Sequence, residues 1–245
     1  MKKKLLLISN STNAGEEYLG WPRQHIIDFM ANTDVNRILF IPWAGVNLSA
    51  ESLTASYDIY EERVNNVFKL LGLEIYSIHK EKDPIHAVKE ARAIAIGGGN
   101  TFHLVYMMHQ SGIMESLRQR VEDGLPFMGW SAGANVACPT LRTTNDMPII
   151  QPKSFDCLNL VPFQINPHYL DANPQGHGGE TREQRINEFM AINRQIIVAG
   201  LREATALWVE DDSIKLVGAR PMRVFKYGHE PKEYQPGDDV RLLLR

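Results

Sequence analysis

The chain has 245 residues, 44% of them hydrophobic and 22% charged, enough to bury most of its apolar surface in one large α/β unit or two small ones. Its 26 basic and 29 acidic side chains leave a net charge of −3, which offers no electrostatic attraction for nucleic acid or an anionic membrane and points to a small partner. With only Cys138 and Cys157, a disulfide framework and a paired-cysteine metal site are both excluded.

Taken in chain order, the sequence opens on Met1-Lys2-Lys3-Lys4 followed by a short apolar run, Leu5 to Ile8. That run is too short for a signal-peptide core or a membrane span, so a reducing cytoplasm is the expectation. Lys4 to Ser9, Arg37 to Ile41, Glu74 to Ile78, Ala93 to Ile96 and Pro126 to Trp130 read as buried strands, rich in Leu, Ile and Phe. Between them, helical spacing runs over Pro22 to Ala31, Ser52 to Leu71, Pro84 to Glu90 and Thr101 to Asp123. Asp83-Pro84 forms a good helix start, and Gly72 a plausible stop. The alternation predicts an α/β fold with a largely parallel sheet, helices on both faces, and ligands beyond the carboxyl ends of its strands. From Ile196 onward closely spaced short strands follow (196–200, 206–209, 213–217, 223–226 and 240–244), expected to extend the sheet edge in antiparallel fashion. No repeat, low-complexity segment or linker interrupts the chain, so residues 1–245 are expected to form a single domain.

Residues 129 to 133 read Gly-Trp-Ser-Ala-Gly at the end of a strand, the G-x-S-x-G pattern of a strand-to-helix turn that exposes a serine, Ser131, at a helix N-terminus. The same pentapeptide also occurs in plain structural turns, so other segments must supply the chemistry. Gly97-Gly98-Gly99-Asn100 follows a strand and precedes a helix. No Gly-Lys-Ser/Thr follows it and Phe102 breaks G-x-G-x-x-G, so the loop reads as an oxyanion site rather than a phosphate cradle, with Gly99 and Ala132 as the amide donors.

A serine hydroxyl needs a base, and of the eight histidines His168, in Gln164-Ile165-Asn166-Pro167-His168, is the best placed, behind a rigid Asn-Pro turn. His177, in a glycine-rich surround, is its competitor. The third member of a triad needs a carboxylate, and both Asp146 and Glu203 are available. Distances along the chain do not choose between them. No His-Glu-x-x-His or clustered Asp, His or Cys spacing calls for a metal, and the expected chemistry requires neither a metal nor an organic cofactor.

These blocks resemble the peptidase E family of serine peptidases, the aspartyl dipeptidases, within a wider class that includes cyanophycinase. The resemblance runs from residues 5–12 through Phe40-Ile41-Pro42-Trp43-Ala44-Gly45, Gly97 to Phe102, Gly129 to Asn135, Arg142-Thr143-Thr144-Asn145-Asp146-Met147-Pro148 and Ile165 to His168 to Gly179-Glu180-Thr181-Arg182-Glu183-Gln184-Arg185, fading after Leu201. It implies a three-layer α/β fold, flavodoxin-like or class I glutamine amidotransferase-like, and hydrolysis of dipeptides with an N-terminal aspartate, with Ser131 as nucleophile, His168 as base, Gly99 and Ala132 as oxyanion donors, and Arg182 as the reader of the aspartyl side chain, Arg142 and Arg185 being weaker alternatives. It also implies Glu203 as the orienting carboxylate, a position after a strand end that suits an active-site rim; Asp146 has been considered for an active-site role in the family. The substrate is therefore expected to be a small Asp-Xaa peptide, with no nucleic acid or membrane partner, and with the choice between monomer and homodimer open. The alternatives are a cyanophycinase-like β-aspartyl exopeptidase, an esterase, or a binding module that keeps the turn only as architecture.

Overall fold

The computed structural model describes every residue except Met1, Lys2, Asn32, Pro174, His177 and Arg245. Seven strands form the main sheet: β1 (Lys4–Ile8), β2 (Arg37–Ile41), β3 (Glu74–Ser77), β4 (Ile94–Ile96), β5 (Phe127–Trp130), β8 (Thr205–Glu210) and β9 (Ser213–Gly218), in the order β3-β2-β4-β5-β1-β8-β9. The first five are mutually parallel, while β8 and β9 add antiparallel strands at the β1 edge.

Period-2 alternation of the strands sorts their side chains onto two faces. Leu5, Leu7, Leu39, Ile41, Ile94, Ile96 and Phe127 point into one apolar cluster, and Leu6, Ile8, Ile38, Phe40, Ala95, Met128 and Trp130 into another. Because both faces are apolar, both must be covered. Helices α1 (Arg23–Met30) and α2 (Leu53–Leu70) cover the second face with Phe29, Tyr60, Val64 and Phe68. Helices α3 (Pro84–Glu90), α4 (Thr101–Gln110) and α5 (Ile113–Glu122) cover the first with Val88, Leu104, Val105 and Leu117. Each such fully buried aliphatic side chain contributes about 1.5–3 kcal/mol of transfer free energy.

Caps fix where the helices begin. Ser52 accepts from the Ala55 N–H, Asp83 from His86 and Asn100 from His103, and Pro84 fills the first turn of α3.

Three expectations change. The helical stretch 101–123 is two helices, because Gly112 adopts φ 72° and turns the chain between α4 and α5. Residues 241–244 form a 3-10 turn rather than a strand; the short apolar run packs Leu243 into the core, and periodicity alone does not separate such a run from a strand. The late strands do not all extend the main sheet: β7 (Val198–Leu201), β10 (Met222–Phe225) and β11 (Lys232–Tyr234) join β6 (Gln164–Asn166) in a second sheet of order β11-β10-β7-β6. In it β6 and β7 run parallel, so their carboxyl ends lie side by side. Helix α7 (Arg182–Ile192) follows β6, opened by a capping box between Thr181 and Gln184. Among the described residues no helix is long and apolar enough to cross a membrane.

Candidate active site

Strand β5 ends at Trp130 and the chain turns at once into α6 (Ala132–Asn135), which leaves Ser131 at φ 54° and ψ −113°. For a residue with a side chain this backbone costs of order 1–3 kcal/mol, the kind of strain found at reactive turns. The turn is possible because its flanking glycines lack side chains. A Cβ on Gly129 would sit 2.2 Å from the Gly133 carbonyl oxygen, and one on Gly133 would sit 2.1 Å from that of Ile96. The Ser131 N–H donates to the Ile8 carbonyl at 2.9 Å, which ties the turn to β1.

On the other side of β5, β4 runs into the glycine loop. Gly99 holds φ 132°, and a Cβ there would lie 2.1 Å from the Ala44 carbonyl oxygen, so only glycine lets this loop close against the neighbouring segment. Among the described residues neither the Gly99 nor the Ala132 N–H has an acceptor within the protein. Ala132 directly follows Ser131, and Gly99 lines the same hollow as Ser131.

Tyr60, on α2, sets the loop from behind. Its hydroxyl donates to the Gly98 carbonyl at 3.0 Å and accepts from Trp130 Nε1 at 3.0 Å. Because the Gly98 carbonyl and the Gly99 N–H belong to one planar peptide, a bond on the first fixes the direction of the second. Burial raises the Tyr60 pKa, which keeps the hydroxyl a donor. Tyr60→Phe leaves a buried indole N–H and a half-buried carbonyl without their partner, an expected loss of about 1–3 kcal/mol of folding stability. Urea unfolding of the two proteins checks this, and equal midpoints and slopes would refute it.

The second sheet supplies the partners. His168 follows the Asn166-Pro167 turn at the end of β6 and Glu203 follows the end of β7, so the parallel pairing of these strands brings them together across 35 residues of chain. His168 Nε2 lies 3.0 Å from Ser131 Oγ, and Nδ1 lies 2.9 Å from Glu203 Oε1. A carboxylate only accepts, so the proton sits on Nδ1 and Nε2 accepts from the serine hydroxyl. The histidine backbone is itself left-handed, at φ 52°. Its N–H donates to Ser9 Oγ at 3.0 Å, and Ser9 in turn donates to the Leu201 carbonyl at 2.8 Å. Asn10 Oδ1 accepts from Ala204 N at 2.8 Å. Ser9 and Asn10, just past β1, thus stitch the main sheet to the strand ends that carry the imidazole and carboxylate. Asn145 holds the Asn-Pro turn, donating to the Pro167 carbonyl at 2.6 Å.

Asp146 makes no bond to His168. Its Oδ2 accepts from the Thr101 N–H at 2.7 Å, the Thr101 hydroxyl at 2.6 Å and the Thr144 hydroxyl at 3.0 Å, placing negative charge at the N-terminus of α4. His177 lies outside the described residues. Cys138 and Cys157 are free and buried; burial pushes the Cys138 thiol up to about 12 and raises that of Cys157, so neither competes as a nucleophile.

Two hollows meet at Ser131 and His168. The smaller, about 240 Å³, is also lined by Asp146, Asn145 and Arg182. Arg182 is half-buried and has no ion pair among the described residues; burial and the nearby Arg185 lower its pKa, while Asp146 opposes the shift. Arg142 instead lies exposed near the Phe155 ring, and Arg185 is paired with Glu180 at 3.1 Å. The larger hollow, about 460 Å³, runs along the glycine loop toward α2.

Sequence spacing did not reveal Tyr60, Ser9, Asn10 or Asn145, whose roles depend on contacts between distant strands. It also hid a grouping away from this site, where ligand atoms of Asp58, Glu61 and His79 lie within 4.8 Å of one another. Lys80 already bridges that cluster, 3.0 Å from Asp58 and 2.5 Å from Glu61.

The arrangement of hydroxyl, imidazole, carboxylate and free amides is that of a hydrolase acting through a serine. The chain is 49% identical to peptidase E of Nostoc sp. over 100% of its own length and 98% of that protein's, and 42% identical to peptidase E of Salmonella typhimurium over 96% and 98%. A crystal structure of a peptidase from an acI-B1 Actinobacterium superposes with a TM-score of 0.69 over 96% of this chain and 95% of that one, at 18% identity, which bears on the fold. The family model for peptidase family S51 matches residues 5–217, and on these grounds the chain belongs to peptidase family S51.

Proposed function

We propose that the protein is a serine dipeptidase that cleaves dipeptides with an N-terminal aspartate, acting as one domain in the cytoplasm. The observation that carries the reading is the unbroken line from Ser131 Oγ through His168 to Glu203, at 3.0 and 2.9 Å, beside the Arg182 guanidinium.

In this mechanism His168 Nε2 takes the Ser131 proton as the oxygen attacks the aspartyl carbonyl carbon. The Gly99 and Ala132 amides receive the oxyanion, a contribution of about 3 kcal/mol per donor. Glu203 holds the imidazole tautomer and stabilises the imidazolium. The imidazolium then protonates the departing amine, the C–N bond breaks, and water attacks the acyl-enzyme with His168 again as base, returning Ser131.

Substrate choice follows from charge. Arginine's planar fork matches a carboxylate with two parallel hydrogen bonds, and among the described residues Arg182 has no carboxylate partner of its own. Asp146, the acidic residue lining the same hollow, gives the free α-ammonium a counter-charge. The wild type is expected to cleave Asp-Leu well above Ala-Leu, and Arg182→Met to lose about 10- to 100-fold on Asp-Leu with little change on Ala-Leu. Equal wild-type rates on the two peptides would remove the acidic pocket from the proposal. Faster cleavage of β-Asp-Arg than of Asp-Leu would favour the cyanophycinase-like reading instead.

A further inference from the structure

The larger hollow at Ser131 is lined by Tyr18, Tyr60, the glycine loop and Arg63. Arg63 stands three residues after Tyr60 on α2, on the same helix face. Among the described residues it is the one lining residue with a permanent charge, since no Asp, Glu or Lys of them borders the hollow. Its guanidinium lies 5.7 Å from the centre of the Tyr18 ring and has no ion pair among the described residues. Ser131 is thus flanked by two hollows, each holding one arginine that has no ion pair among the described residues.

An Asp-Xaa dipeptide carries two anions on opposite sides of the scissile carbonyl: the aspartyl side chain and the C-terminal carboxylate of the leaving residue. With Arg182 assigned to the first, we infer that Arg63 binds the second. This rests on the aspartyl dipeptidase reading and adds a length filter to it. One more residue would carry the terminal carboxylate about 3.6 Å further along the chain and away from a fixed cation. A hollow of about 460 Å³ holds the leaving residue's side chain with apolar walls from Tyr18 and Leu48, so Arg63 recognises the end of the substrate rather than its second side chain.

The test compares Asp-Leu with its C-terminal amide for the wild type, Arg63→Met and Arg63→Lys. The wild type should favour the acid over the amide by about 10- to 50-fold in kcat/KM, chiefly through KM. Arg63→Met should treat the two substrates nearly alike by losing that factor on the acid, and Arg63→Lys should keep part of the preference. Arg63 is exposed, so unchanged thermal midpoints are expected to accompany these shifts. A wild-type enzyme that does not distinguish acid from amide, or an Arg63→Met variant that keeps the preference, overturns the subsite while leaving the aspartyl reading intact. A wild type inactive on both substrates overturns both together.

Discussion

Ser131→Ala is expected to lower Asp-Leu hydrolysis by about ten-thousand-fold to a millionfold, the scale seen when the nucleophile of a serine hydrolase is removed. The loss would be in kcat, because in the proposed mechanism Arg182 remains in place to bind the substrate. Single-turnover assays with purified variant measure this directly, and retained turnover would eliminate the covalent mechanism. The same position carries a stability signature. At φ 54° and ψ −113° a side chain is strained, whereas glycine adopts the conformation without that cost. Ser131→Gly should therefore be equally inactive yet melt about 2–4 °C above the wild type, from a net gain of about 1 kcal/mol after glycine's own entropic penalty. A variant that is inactive and less stable would mean that the turn is held by the serine rather than strained by it.

Glu203→Gln is expected to have the next largest effect, about a thousandfold in kcat. An amide at this position can offer its N–H₂ to Nδ1, which stabilises the tautomer whose Nε2 carries a proton and cannot accept the serine's. In a closed triad that error is worth about ten-thousand-fold. Here the His168 and Glu203 side chains are each 40% exposed, so solvent partly replaces the carboxylate and the smaller figure applies. Asp146→Asn makes the contrast. It keeps an acceptor for the Thr101 N–H but removes charge from the start of α4, so a cost of about 0.5–1 kcal/mol in stability and a raised KM are expected, with kcat within about tenfold. Parallel kcat and KM measurements on the two variants decide the assignment. If Asp146→Asn fell a thousandfold and Glu203→Gln did not, their roles would be reversed.

The parallel core was legible because β1, β2, β4 and β5 are buried on both faces and read as near-continuous apolar runs. Ser131 and the Gly97–Gly99 loop were legible for a related reason: a turn that tolerates no side chain leaves glycines in the sequence at fixed spacing. The choice between Asp146 and Glu203 was not. It depends on whether the second residue past β7 lands beside the second residue past β6, and that follows from a parallel pairing between strands of only four and three residues. The second sheet stayed hidden for the same cause, since its short strands carry the same apolar signal as the edge strands β8 and β9. Tyr60 and Arg63 lie within an ordinary amphipathic helix, where nothing in the spacing distinguishes a residue facing a cavity from one facing solvent or core. Ser9 and Asn10 read only as the polar end of a strand.

In the proposed mechanism the attacking oxygen belongs to one sheet and its proton acceptor to the other, so catalytic competence would be a property of neither layer alone. A slip of an ångström across the Ser9–Asn10 seam would leave every helix and strand intact and still separate the reacting pair. Turnover by this enzyme is in that sense a vernier for tertiary alignment, finer than any signal that registers only whether the chain is folded.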